Sequence, residues 1–94
     1  MNGLYKPPFK KFVKKQSRAF QLAIEDEVEG ITDNPVIGEV KSGDLADVRI
    51  HKFKFHGQEY LIAYKIDGDD AVFYMIGTHE NFYRDLKQYR KEVE

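Results

Sequence analysis

The amino-acid sequence predicts an α+β domain in which helices come first, an antiparallel sheet follows and a helix closes the chain. Apolar residues between positions 9 and 31 recur at spacings of three, four and seven, which is typical of an amphipathic helix. Three β-rich runs between positions 48 and 78 are separated by glycine-containing turns. The last segment returns to helical spacing, with apolar side chains at Phe82, Leu86, Tyr89 and Val93.

The first third is predicted to form one long helix or two consecutive helices. Pro7 and Pro8 suit the first turn of a helix, where no backbone N–H is needed. Ser17 is suited to cap a second helix, so the segment divides there if the cap forms. Asn34 precedes a proline and resists the α conformation, which ends the helical segment. Residues 36–47 (VIGEVKSGDLAD) are predicted to be a loop because glycines interrupt them.

The middle of the chain is predicted to be a three-stranded meander. Its strands cover about residues 48–55, 60–66 and 71–78, with turns at Gly57 and at residues 67–70. Thr78 is the expected N-cap of the last helix, which is predicted to begin at about Glu80.

Length and composition limit the class of protein. Ninety-four residues predict a single domain over residues 1–94. The absence of cysteine excludes disulfides, a thiol nucleophile and a cysteine-based zinc site, and fits a cytoplasmic location. No apolar run reaches the roughly 18 residues of a membrane span, and the N-terminus lacks the apolar core of a signal peptide. We therefore expect no membrane partner.

The net charge of −1 conceals a strong partition of charge along the chain. Residues 1–23 carry six basic side chains and no acid, whereas residues 24–47 carry eight acids and one lysine. Residues 48–66 are basic again and residues 67–80 are acidic. Local patches can therefore bind an anion although the whole chain is slightly acidic. The alternative is a set of solvated helix faces of opposite sign.

The first meander strand is predicted to have one apolar and one cationic face. Because side chains alternate along a strand, Phe53 and Phe55 share one face and the nitrogen-bearing groups share the other. The apolar phase slips near His51, which predicts either a bulge there or a strand whose first residues are buried on the opposite face. The nitrogen-bearing groups of the second face are Lys52, Lys54 and His56.

The residue types on this strand and around the start of the last helix suit RNA phosphodiester cleavage better than metal or serine chemistry. None of the three histidines has the spacing of a helical metal site, so no metal or other cofactor is predicted. Neither Ser17 nor Ser42 lies in a nucleophile elbow. RNA cleavage needs a base, an acid and cations around the phosphate, and stacking aromatics such as Tyr60, Phe82 and Tyr83 can hold bases. The groups suited to the first three roles are His51, Lys52, Lys54, His79 and Tyr83.

The sequence resembles the RelE/ParE superfamily of type II toxin–antitoxin toxins from about residue 4 to residue 89. The stretch HKFKFHGQEYLIAYKI (residues 51–66) is similar to a RelE stretch with a K-x-K strand, a glycine turn and a tyrosine-bearing partner strand. GTHENFY (residues 77–83) is similar to YafQ-type toxins. In that fold a short N-terminal strand joins the sheet, which residues 3–5 can supply. The resemblance thus implies a sheet of three or four strands.

The resemblance also implies roles for individual residues. The family lysines that contact and activate RNA correspond to Lys52 and Lys54, and the histidine after G-T corresponds to His79. Tyr83 is nearest to the RelE catalytic tyrosine, and His51 matches a YafQ-type histidine more loosely. Leu61 stands where RelE carries an arginine. Further RNA contacts are expected from Arg49, His56, Tyr60, Phe82 and Arg84.

Three functions follow as hypotheses. The first is an endoribonuclease that cleaves mRNA on the ribosome. The second is a ParE-like inhibitor that binds DNA gyrase and has no nuclease activity. The third, suggested by Leu61 and the mild net charge, is a relative that retains only antitoxin binding. In each case the expected partner is a cognate antitoxin, whose acidic segment would cover the basic residues 1–23.

Overall fold

A five-stranded sheet lies between a helical pair and a single helix in the computed structural model, which describes residues 1–94. The strand order is β1-β5-β4-β3-β2; β1 runs parallel to β5, and all other neighbours are antiparallel. The elements in chain order are β1 (Asn2–Tyr5), α1 (Pro7–Lys14), α2 (Arg18–Asp33), β2 (Glu39–Val40), a one-turn 3-10 helix (Gly43–Leu45), β3 (Arg49–Phe55), β4 (Gln58–Asp67), β5 (Asp70–Gly77) and α3 (Phe82–Val93).

The helical first third consists of two helices. The side-chain oxygen of Ser17 accepts a hydrogen bond from the backbone N–H of Phe20 at 3.2 Å, which confirms the predicted cap. Pro7 opens α1 and α2 ends just before Asn34, as predicted. The α+β class, the short N-terminal strand and the meander are confirmed as well.

The β3–β4 hairpin closes through His56 and Gly57, whose φ angles are 49° and 80°. Two successive residues with positive φ are typical of a type I′ turn, whose twist matches that of the strands. His56 therefore lies in the turn and not on β3, so the prediction that it shares the strand face of the two lysines is wrong.

Two local predictions at the ends of elements are wrong. Residues 36–47 were expected to be a loop, but they contain β2 and the 3-10 helix, so the sheet has five strands. Thr78 does not cap the last helix. Instead, the chain turns through Asn81, which has a φ of 60°, and α3 begins at Phe82. The turn is needed because Phe82 is buried against the sheet, only 3% exposed.

Each face of the sheet has its own apolar core. The first core lies under α1 and α2, and the second lies under α3. The buried members of the first core are Phe9, Phe20, Ile24, Val28, Ile31, Ile62, Tyr64, Ala71, Phe73 and Ile76. Those of the second are Leu45, Val48, Ile50, Leu61, Ala63, Val72, Tyr74, Phe82 and Leu86.

The slip in apolar phase near His51 comes from burial on both faces and not from a bulge. The pairing of β3 with β4 is continuous, and Ile50 is buried in the second core. A bulge occurs instead in β5. There Ala63 pairs with Met75 and Tyr64 pairs with Phe73, so Tyr74 is the extra residue.

The connection from α2 to β2 is held by the buried hydroxyl of Tyr64. That hydroxyl accepts a hydrogen bond from the backbone N–H of Gly38 at 2.9 Å and donates one to the carbonyl of Pro35 at 2.7 Å. An added Cβ on Gly38 would lie 2.6 Å from the Tyr64 oxygen, so only glycine fits there. The guanidinium of Arg49 donates to the carbonyls of Val36 and Gly38. These contacts fix the start of β2.

None of the three helices is both long and apolar enough to span a membrane.

Candidate functional site

The two lysines of β3 lie on the α3 face of the sheet and are exposed. Lys52 is paired in register with Leu61 and Lys54 with Glu59, so these four side chains share one face. Ile50, on the same face, is buried in the second core. The two lysines therefore lie on the same face of β3 as Ile50, beyond the edge of the second apolar core, where they are exposed to solvent. The alternation of residues along the strand predicted this shared face for the two lysines.

His79 lies on the same face, just beyond the end of β5. Its Nε2 is 3.7 Å from Oε1 of Glu59, and its side chain is 56% exposed. Its ring centroid is 6.1 Å from that of Tyr83, in an edge-to-face arrangement. Because Glu59 is paired with Lys54, this carboxylate links the histidine to the lysine strand.

Tyr83 is in turn linked to β2 through Lys41. The Lys41 ammonium lies 5.3 Å from the centroid of the Tyr83 ring and 3.0 Å from Oε1 of Glu39. The hydrogen bond from Lys41, with the charges of Lys41 and Lys52, lowers the pKa of Glu39. The hydrogen bond to Glu39, followed by smaller contributions from Tyr83, raises the pKa of Lys41. Both groups therefore stay charged near neutral pH.

These side chains surround an apolar floor formed by Leu61. Its side chain is fully buried, and it lies in register between Lys52 on β3 and Gly77 on β5. We call the groups around this floor the cationic cluster; its exposed members are Lys52, Lys54 and His79, and its partly buried members are Lys41 and Tyr83. The cluster is completed by two carboxylates, Glu39 and Glu59.

The structure separates His51 from the cationic cluster. Its side chain lies on the opposite face of β3, where Nε2 is 2.8 Å from Oε1 of Glu27 on α2. The ring is stacked against Phe53, and its side chain is only 15% exposed. His51 therefore links β3 to α2 and does not contact the other predicted site residues.

The five residues predicted to contact RNA are also dispersed. Arg49 is held by backbone carbonyls near β2, and Tyr60 packs against Phe20 in the first core. Phe82 is buried in the second core and presents no ring face for a base. His56 lies at the hairpin tip, stacked on Phe55, with ring centroids 4.1 Å apart. Arg84 directly follows Tyr83 and is exposed on α3.

Lys41, Glu39 and Glu59 were not among the residues predicted for the site. Lys41 and Glu39 lie in a segment that was expected to be a loop, and only the pairing of β2 with β3 brings them to the site. One signal was present, since Lys41 is the single basic residue in the acidic stretch 24–47. Glu59 could have been found from the hairpin register, because a two-residue turn at positions 56 and 57 places it opposite Lys54.

The arrangement has the parts required for chemistry on a phosphate. Three ammonium groups supply positive charge, and an exposed imidazole with a carboxylate neighbour can transfer a proton near neutral pH. A phenol adjacent to a cation supplies a second titratable group. No group of three or more histidine, aspartate or glutamate side chains is placed to hold a metal ion.

Comparison with known proteins identifies the family. A family model described as the ParE-like toxin of type II bacterial toxin–antitoxin systems matches residues 4–87, so the chain belongs to this family. No curated protein sequence matches it significantly.

Solved structures of similar fold include toxin RelE of Escherichia coli. The toxin in the intact E. coli RelBE toxin–antitoxin complex superposes with a TM-score of 0.67 at 14% identity, over 82% of this chain and 94% of that chain. The isolated E. coli RelE toxin gives 0.64 at 14% identity, covering 94% of this chain and 97% of that one. A mutant RelE in complex with a peptide of antitoxin RelB gives 0.65 at 16% identity, over 89% and 92%. The expected RelE/ParE-like fold is confirmed.

Proposed function

We propose that this toxin is an endoribonuclease that cleaves mRNA on the ribosome. The observation that carries the proposal is the cationic cluster itself, in which His79 and Tyr83 lie beside three lysines on one exposed face. A protein that acted only by binding would need positive charge, but it would not need a histidine and a tyrosine held around that charge. On the same face the ring of Phe82 is buried and cannot stack on a base, so affinity for the substrate is expected to come chiefly from phosphate contacts.

The proposed reaction is internal transesterification of the RNA backbone. A general base removes the proton of the 2′-hydroxyl, whose oxygen attacks the adjacent phosphorus. The bond from phosphorus to the 5′-oxygen then breaks, and a general acid protonates that oxygen. The products are a 2′,3′-cyclic phosphate and a free 5′-hydroxyl, so no water or redox partner is consumed.

His79 and Tyr83 are the groups that transfer protons in this proposal. Glu59, 3.7 Å from the Nε2 of His79, favours an orientation of the imidazole toward the lysine strand. Lys52 and Lys54 hold the phosphate and stabilise the negative charge that develops on it. The buried Leu61 excludes water beneath the reacting phosphate and supplies no charge.

The test is primer extension on cellular mRNA after induction of the toxin. We expect new 5′ ends in translated messages with the wild-type chain, and a loss of about 10²–10⁴-fold in cleavage rate with His79→Ala. Lys52→Ala is expected to be impaired similarly. Lys91→Ala is the matched control, since it removes an exposed lysine of α3 that lies far along the helix from Tyr83. Intact cleavage and growth inhibition in both site variants would refute the proposal.

Inhibition of DNA gyrase is the second candidate, because the matching family model is described as ParE-like. This function requires binding and no proton transfer, so His79→Ala would retain toxicity. Supercoiling assays with purified gyrase distinguish the two: inhibition by the wild-type and the His79→Ala protein favours this function, and unaffected supercoiling rules it out. A chain with no toxicity when expressed alone would instead support the third hypothesis, antitoxin binding without toxin activity.

An antitoxin is the proposed partner in every case. Between α1 and α2 the structure has a groove of about 410 Å³ lined by Phe9, Val13 and Ile24. Its charged lining residues are three bases, Lys10, Lys14 and Arg18, and one acid, Glu25, which suits an amphipathic segment with acidic flanks. RelE-type structures of similar fold contain antitoxin RelB or a RelB peptide. Co-purification with the product of the neighbouring small gene tests this, and Val13→Asp is expected to weaken it.

A further inference from the structure

Lys41 belongs to the cationic cluster but is not one of the residues predicted for the site. The short strand β2 pairs with β3 through two residue pairs, and Lys41 directly follows β2. Its side chain lies on the α3 face of the sheet, where the ammonium approaches the ring of Tyr83. It thereby joins the cluster through Tyr83, the ring that also lies beside His79. Its side chain is 23% exposed, so the ammonium is sheltered but still reachable by a ligand.

We propose that Lys41 is a third phosphate-binding cation of the active site, and that it supplies the positive charge that Leu61 does not. This inference rests on the proposed nuclease function. The substrate group that it recognises is a non-bridging phosphate oxygen of single-stranded RNA at or next to the cleaved bond.

The contacts of Lys41 hold it in place without using all of its donors. An ammonium has three N–H groups. One donates to Oε1 of Glu39 at 3.0 Å. The ammonium also makes a cation–π contact with the Tyr83 ring, 5.3 Å from its centroid. A donor therefore remains for a phosphate oxygen. Fixing a flexible lysine before substrate binds reduces the reorganisation needed in the transition state.

The neighbouring charges support a cation at this point. Glu39 lies close enough to Lys52 for that lysine to contribute to its lowered pKa, so the carboxylate is shared between two ammonium groups. Without Glu39, Lys41 and Lys52 would repel each other and move apart. With it, the two ammonium groups share one carboxylate and stay near each other, in an arrangement that a phosphate group with two negative oxygens can bridge.

A purely structural role for Lys41 makes different predictions, which allows a test. In that role its aliphatic stem would only cover Tyr83, and Lys41→Met would retain the packing. As a phosphate ligand, Lys41→Met removes a charge contact with RNA. Affinity for single-stranded RNA then depends less on salt, with the slope of log K against log salt reduced by about 0.7 per lost contact.

The experiment combines cleavage and binding for Lys41→Met, Lys41→Arg, Lys52→Ala and Lys91→Ala. Cleavage of mRNA is measured in single turnover on programmed ribosomes, and binding is measured over a salt series with an RNA oligonucleotide that carries a 2′-deoxy sugar at the cleavage site. We expect Lys41→Met to cleave on the order of 10²-fold more slowly and to lose about 0.7 in salt slope, as Lys52→Ala does. Lys41→Arg is expected to keep the wild-type slope, because the charge remains. Lys91→Ala should match wild type.

The outcomes separate this inference from the proposed function. If Lys41→Met matches wild type in rate and slope while Lys52→Ala is impaired, Lys41 is not a phosphate ligand and the nuclease proposal stands. If the wild-type chain, like all of the variants, fails to cleave mRNA, the nuclease proposal is wrong. Denaturation of Lys41→Met followed by circular dichroism tests whether the variant is folded, and we expect that it is, because methionine retains the packing of the aliphatic stem on Tyr83.

Discussion

Removal of a single oxygen atom from Tyr64 is expected to weaken the fold and displace one side of the candidate site. In Tyr64→Phe the ring stays in the first core, where it is fully buried. The backbone N–H of the buried Gly38 loses its acceptor at 2.9 Å, and the carbonyl of Pro35 loses its donor at 2.7 Å. These two groups belong to the connection that leads into β2.

The expected cost follows from the two broken hydrogen bonds. A buried N–H left without a partner costs about 1–3 kcal/mol, and an ordinary hydrogen bond contributes about 1 kcal/mol. Because Pro35 lies in a partly exposed segment and water can replace its donor, we expect a total near 2–3 kcal/mol. For a chain of this size that corresponds to a fall of roughly 10–20 °C in the melting temperature.

Urea denaturation followed by circular dichroism measures this cost. Tyr60→Phe is the matched control: Tyr60 lies beside the same core and packs against Phe12 and Phe20, and its ring is retained in the variant. We expect the control to change the free energy of unfolding by less than about 0.5 kcal/mol. A Tyr64→Phe variant as stable as the control would show that the hydroxyl does not hold the α2–β2 connection.

Three further predictions concern the helix ends and the anchor of α3. Ser17→Ala removes the α2 cap and is expected to cost about 1 kcal/mol in urea denaturation; an unchanged midpoint would contradict this. Asn81→Gly should be tolerated at a φ of 60°, whereas Asn81→Ala should lower stability by about 1–2 kcal/mol. The hydrogen bond and charge of Arg90 lower the pKa of Asp47, so their pair stabilises the fold above a pH of about 4 and loses its effect as the carboxylate protonates below that. Asp47→Asn should therefore cost about 0.5–1 kcal/mol at pH 7, screened by the exposure of Asp47, and progressively less as the pH falls below about 4.

The parts of the fold with a local cause could be predicted from the sequence. Pro7 and Ser17 set the starts of two helices through their own backbone and side-chain chemistry. The alternation along β3 separated the two lysines from Phe53 and Phe55 correctly. In these cases the determining contacts lie within a few residues of each other, and periodicity reports them directly.

The parts that depend on distant contacts could not be predicted. A two-residue strand such as β2 has no period, and it forms because Tyr64, 26 positions away from Gly38, holds the connection before it. The start of α3 is set by the burial of Phe82 and not by the capping potential of Thr78. Lys41 reaches the site only through β2, so no motif in the sequence contains it.

His51 shows the same limit for a site residue. Its residue type suited catalysis, and the family resemblance gave it a role. Its strand position, however, gives it the parity of Phe53, and α2 supplies Glu27 at 2.8 Å. The parity of its strand position already indicated, from the sequence, that His51 lies on the opposite face from the two lysines. Its carboxylate partner could not be predicted, because Glu27 reaches His51 only through the packing of α2 on the sheet.

The bulge at Tyr74 has a consequence for how this protein can change over evolutionary time. Because Tyr74 and Met75 both point toward α3, the alternation of β5 is inverted from that point onward, and Gly77 emerges beside Leu61 on the lysine face. If the same residues alternated strictly, without the bulge, Gly77 and the following segment, with His79, would emerge on the α1–α2 side. Single-residue insertions should therefore be tolerated in the outer hairpin turns far better than in residues 73–77, where one extra residue decides on which side of the sheet the histidine lies.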